Sequence, residues 1–205
     1  MQKILFPHEL FNLTEEQAAE CLCRLAEFII EKGKEKKSIL DFFAEEYPEY
    51  CKLFCAYMIG FYEGLNNQYA DPTWITYLYH MMNDLSNGRD DLAKNFIKYY
   101  DLENKFDLSE SEILEVMKRM SHMNSVYPLM IIKEFKEEHR FFASWLLGYL
   151  DGTAAQYFDF RRVTKEMKFL AEIYDLCNKG KKEEIVFKLK RLKSDYEENS
   201  LRDVI

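Results

Sequence analysis

Apolar residues recur along this chain at spacings of three and four, the period of an amphipathic helix and not of a strand. Cys21, Leu25, Phe28 and Ile29 make one stripe. Leu92, Phe96, Ile97 and Tyr100 make a second, and Ile185, Leu189, Leu192 and Tyr196 a third. The pattern predicts a first helix from the Thr14 cap to about Lys32, followed by a polar loop from Gly33 to Lys37. A short second helix starts at Ser38 and buries Ile39, Phe42 and Phe43. A third takes Pro48 into its first turn, where a missing N–H costs nothing, and ends near Tyr69. A fourth is capped by Asp71, has Pro72 at its first position, runs to Leu85 and closes on Asn87-Gly88. A fifth carries the Leu92 stripe.

The same order is then written again. Phe54 to Asp71 aligns without a gap on Phe142 to Asp159. Phe54, Gly60, Gly64, Gln68, Tyr69 and Asp71 recur as Phe142, Gly148, Gly152, Gln156, Tyr157 and Asp159. Tyr57 and Trp145, and Glu63 and Asp151, keep size or charge. Each copy opens with a capping box, Thr14 with Gln17 and Ser109 with Glu112. Gly88 and Gly180 end equivalent helices, so six of the seven glycines fall into three pairs. The expectation is an all-α protein of two tandem five-helix repeats of about 95 residues, packed as a pseudo-two-fold bundle. Residues 1–100 are the first repeat, 101–107 a short connector, and 108–205 the second repeat.

Ala56, Gly60 and Gly64 form a ladder of small residues, matched by Ser144, Gly148 and Gly152. Mid-helix glycines cost about 1 kcal/mol each relative to alanine. Close approach of another helix is the compensation such a stripe predicts. The neighbour is either a helix of the same repeat or the Gly-bearing helix of the other repeat. Glu63 and Asp151 flank the ladder, and if the two glycine faces meet, the carboxylates approach each other and one titrates high. Glu63, Gln68, Tyr69, Asp151, Gln156 and Tyr157 are therefore the candidate ligand-binding residues. The competing reading gives each a structural job: a local bond for the carboxylates, a helix-end bond for the glutamines, core packing for the tyrosines.

Composition narrows the function classes. At 48% hydrophobic and 16% aromatic residues the chain is globular. Net charge is −8; residues 1–160 hold 16 basic and 27 acidic residues, so −11, and 161–205 hold 12 and 9, so +3. That acidity argues against direct nucleic-acid binding. The longest uncharged runs in the two Gly-bearing helices are too short for a membrane span. The basic last helix is a weaker candidate for docking on a membrane surface or an acidic partner. Five cysteines, an odd number without framework spacing, fit a reducing cytoplasm. Cys51 and Cys55 stand one turn apart, but their counterparts are His139 and Ala143, so buried thiols are expected and not a matched metal pair. No metal site or cofactor is expected: the four histidines are scattered, and the Glu-x-x-His, P-loop, G-x-S-x-G and G-x-G-x-x-G patterns are absent. These exclusions point to a non-catalytic interaction protein, a regulator, adaptor or inhibitor, with an acidic decoy for a nucleic-acid-handling protein as one form of it. The alternative is a small-ligand or metal site, or an enzyme, between the Gly-bearing helices.

Overall fold

The structure is a computed structural model that describes residues 7–35, 39–71, 73–122, 132–158, 172–173, 175–176 and 179–191. The described residues are helical, with no strand among them. In chain order the helices are α1 (Pro7–Leu10), α2 (Glu15–Glu35), α3 (Ile39–Ala44), α4 (Glu49–Ala70), α5 (Trp74–Ser86), α6 (Asp91–Tyr100), α7 (Leu102–Phe106), α8 (Glu110–Ser121) and α9 (Glu137–Phe158). Residues 182–191 are also helical.

Local signals set most of the ends. The N–H of Gln17 donates to Thr14 Oγ1 at 3.2 Å, and the N–H of Thr14 donates back to Gln17 Oε1 at 3.0 Å. Ser109 and Glu112 make the same reciprocal pair before α8. Gly88 lies at φ +78° and Gly180 at φ +66°, a region that costs an L side chain energy. Past each, the chain turns back in the same way, Arg89 N–H to the Asp84 carbonyl and Lys181 N–H to the Leu176 carbonyl. Asp71 acts one step from its expected form: its Oδ1 accepts from the N–H of Thr73 at 2.9 Å. Thr73 then occupies the N-cap of α5. Pro48 likewise stands at the N-cap of α4, one position before the first turn.

One expectation needs correction. The first long helix does not stop at Lys32: α2 continues through Gly33 to Glu35. The isolated glycine lowers helix stability by about 1 kcal/mol without ending the helix. The segment 101–107, expected as a short connector, is partly helical. It contains α7, set between two left-handed residues, Asp101 at φ 50° and Asp107 at φ 53°. Leu102 and Phe106 of α7 are buried, so this turn of helix belongs to the core.

The centre of the molecule is the pair α4 and α9, which pack along each other. Both are apolar on most faces because neighbours surround them. Among others, α2, α1 and α5 lie against α4, and α8 and α5 against α9. Phe54, Tyr57 and Leu65 of α4 and Phe142, Trp145, Leu146 and Tyr149 of α9 are almost wholly shielded. Helix 182–191 buries Ile185 and Leu189. Its lysines meet acids of the same chain: Lys190 reaches Glu16 at 2.9 Å, Lys188 reaches Glu172 at 2.5 Å, and Lys182 pairs with Glu20. Among the described residues no helix is long and apolar enough to cross a membrane.

Candidate functional site

The glycine ladder meets its counterpart. A Cβ placed on Gly60 would stand 2.0 Å from the carbonyl oxygen of Trp145, and one on Gly148 would stand 2.0 Å from that of Tyr57. One on Gly64 would meet the Tyr149 carbonyl oxygen at 2.1 Å, and one on Gly152 the Phe61 carbonyl oxygen at 2.1 Å. Contacts climb both helices together, so α4 and α9 run parallel where they cross. Of the two neighbours the ladder could take, it takes the other Gly-bearing helix. The small residues above follow suit: Ala56 is buried, and the buried Ser144 donates its hydroxyl to the Leu53 carbonyl at 2.7 Å.

The two carboxylates beside the ladder do not bond each other. Each is held by an aromatic donor on the opposite helix. The Tyr57 hydroxyl donates to Asp151 Oδ2 at 2.8 Å, and the Trp145 indole N–H donates to Glu63 Oε2 at 2.8 Å. Tyr57 and Trp145 are 88 positions apart, as are Glu63 and Asp151. The pairing is reciprocal, and among the described residues the surroundings differ. Glu63 also takes Lys105 Nζ of α7 on both oxygens, at 2.8 and 2.7 Å, and that ammonium lies 4.6 Å from the centre of the Trp145 ring. For Asp151, Tyr57 is the partner found among the described residues. Burial pushes its carboxyl up to about 6, and the Tyr57 bond works against that rise. The expected high-titrating carboxyl therefore exists, but desolvation causes it, and not a facing carboxylate.

A second polar cluster lies beside the crossing. The buried Tyr149 hydroxyl accepts from Asn67 Nδ2 at 3.1 Å and from the Trp74 indole N–H, and is hydrogen-bonded to the Tyr100 hydroxyl at 2.6 Å. Asn67 Nδ2 also bonds the Tyr100 hydroxyl. Burial raises both phenols above their ordinary range. The rings of Phe96, Tyr100, Trp145 and Tyr149 touch edge-on or tilted, joining α6 to α9. The sequence reading missed Lys105, Trp74, Tyr100 and Tyr149. One signal was present: Tyr57 and Trp145 both end in a donor and both stand six positions before a carboxylate.

The backbones of Gln68, Tyr69, Gln156 and Tyr157 are helical, but their side chains lie outside the described residues, as do Asp159 and Cys177. Cys21, Cys51 and Cys55 are buried and unbridged. Cys55 Sγ donates to the Cys21 carbonyl at 3.4 Å. His139 is buried, with Nε2 3.7 Å from Glu112 Oε1. Among the described residues no group of three or more His, Cys, Asp or Glu side chains is placed to hold a metal ion.

No family model matches the chain, and no curated protein or solved structure is similar to it.

Proposed function

We propose that this chain is a non-catalytic interaction protein, a regulator, adaptor or inhibitor that works by binding another protein. The observation that carries the reading is an aromatic surface on α5 and α6. Trp74 stacks on Tyr77 with ring centres 4.9 Å apart and meets Tyr99 at 5.8 Å. Tyr99 is 71% exposed. Tyrosine and tryptophan supply large contact area with little side-chain entropy to lose, which is why they dominate binding hot spots. Asp71 and Asp101 are exposed next to this aromatic stretch in the chain, and residues 1–160 carry −11. A basic protein surface is the complementary partner, and an acidic decoy for a nucleic-acid-handling protein is the form of the function that this charge favours.

The rest of the reading follows the same supports. The reciprocal Gly60–Trp145 and Gly148–Tyr57 contacts favour two duplicated halves packed about a pseudo-two-fold axis. Unbridged cysteines among the described residues favour a cytoplasmic setting. The ligand-site alternative would use Glu63 and Asp151, which already hold partners inside the protein.

The test compares wild type with Tyr99→Ala as immobilised baits at low and high salt. Tyr99 is exposed enough for the variant to fold. A partner retained by wild type, weakened about tenfold or more by Tyr99→Ala and released by salt is the expected result. Equal retention by both baits removes the aromatic surface from the reading, and salt-independent binding removes the decoy.

A further inference from the structure

His139 stands in the first turn of α9 and is 2% exposed. Its Nε2 is buried and has no hydrogen-bond partner among the described residues. Buried polar atoms are ordinarily bonded, so such an atom calls for a reason. Glu112 of α8 faces it, with Oε1 3.7 Å from Nε2. The two carboxylate oxygens have different tasks. Oε2 closes the capping box of α8, taking the Ser109 hydroxyl at 2.6 Å and the Ser109 N–H at 2.8 Å. Oε1 is the oxygen turned to the ring. The bonds from Ser109 hold the Glu112 carboxyl below its ordinary range, so it stays charged across the pH range in which an imidazole changes charge. In the first copy of the repeated pattern the matching positions are Gln17 and Cys51. Gln17 makes the same capping bond to Thr14 without a charge. The second copy alone sets a carboxylate against an imidazole.

We propose that His139 and Glu112 form a pH-sensitive latch between the capped start of α8 and the central helix α9. A proton taken up by the ring makes Nε2 a charged donor. The contact then closes from 3.7 Å toward the roughly 2.8 Å of a charge-assisted bond. Glu112 holds Ser109 with one oxygen and His139 with the other, so the cap of α8 is tied to α9. With the ring neutral, no charge draws the two together. The other charged groups around this end of α9 are engaged elsewhere or face water. On α9 itself Glu137 and Glu138 are exposed, and Arg140 turns to Glu49 of α4 at 2.8 Å. Lys52 of α4 reaches the Phe43 carbonyl of α3, whose Asp41 is exposed. On α7, Lys105 is held by Glu63. On α8, Glu115 is exposed. The bond from α5 to α9 falls at Tyr149, well along the helix from His139.

The test follows the full-length protein by NMR from about pH 8 to about pH 5, reading the His139 ring protons together with the backbone amides of Ser109 and Glu112. In wild type the two amides should move along the same curve as the ring. Glu112→Gln keeps the cap, as Gln17 does at Thr14, and removes the charge. It should lower the His139 midpoint by about half a unit or more and leave the Ser109 amide unmoved over this range. A ring that does not titrate between these limits overturns the proposal. So do amides of Ser109 and Glu112 that stay still while the ring titrates, or a midpoint that Glu112→Gln leaves unchanged. The wild-type titration decides the first two outcomes even where the variant fails to fold.

Discussion

The hydroxyl of Tyr57 on α4 donates to the carboxylate of Asp151 on α9 at 2.8 Å, across the line where the two helices touch. This bond sits in a half-buried place, where a carboxylate loses water and the charged form is disfavoured. The folded carboxyl holds its proton to about pH 6, against an ordinary value of 3.8. Its contribution to stability is therefore fullest below about pH 4 and declines as pH rises through 6. Asp151→Asn keeps an acceptor for Tyr57 and carries no charge. It should be more stable than wild type by about 2 kcal/mol at pH 8, and no more stable at pH 4. Urea unfolding at the two pH values checks this; an equal gain at both would show that the charge is not the cause.

Gly60 and Gly148 touch backbone, and backbone cannot rotate away. Gly60→Ala and Gly148→Ala should each cost about 3 kcal/mol or more by forcing α4 and α9 apart. Gly88→Ala is the control: nothing lies within 4 Å of a Cβ there, and its cost is the left-handed backbone alone, about 1 kcal/mol. Thermal unfolding of the three variants checks the order.

Lys105 is the cation between the carboxylate of Glu63 and the face of Trp145. Its side chain is 19% exposed and that of Glu63 is 31% exposed, so water screens the pair only in part. Lys105→Met should cost about 1–2 kcal/mol, because Glu63 is left half-buried without its cation. Adding Glu63→Gln should recover part of that loss. A double-mutant cycle by denaturant unfolding measures the coupling; strictly additive losses would show that the two side chains act separately.

Tyr149 gathers Asn67, Trp74 and Tyr100 around one hydroxyl. Tyr149→Phe should cost about 2–3 kcal/mol, since the donors of Asn67 and Trp74 both lose an acceptor in a poorly hydrated place. Trp74 fluorescence should also shift as its indole N–H loses that bond. Unchanged emission and stability would mean the cluster holds nothing together.

Much of the helical plan was legible in advance. The caps at Thr14 and Ser109 and the left-handed turns at Gly88 and Gly180 follow from residues within five positions of one another. The stop expected at Gly33 failed for the same reason that local reading works: one glycine is a small local cost, and the surrounding helix outweighs it. The partners of Glu63 were less legible. Lys105 lies 42 positions away and Trp145 lies 82 away.

What the sequence determined alone is a helical chain with a duplicated pattern and two bare stripes, each needing a close neighbour. These rest on hydrogen bonds and periodicities that close within one or two turns. Only the tertiary structure decided that the stripes meet each other and that each flanking carboxylate bonds the opposite helix's aromatic. Those outcomes depend on which distant surfaces exclude water together, and no local propensity encodes that choice.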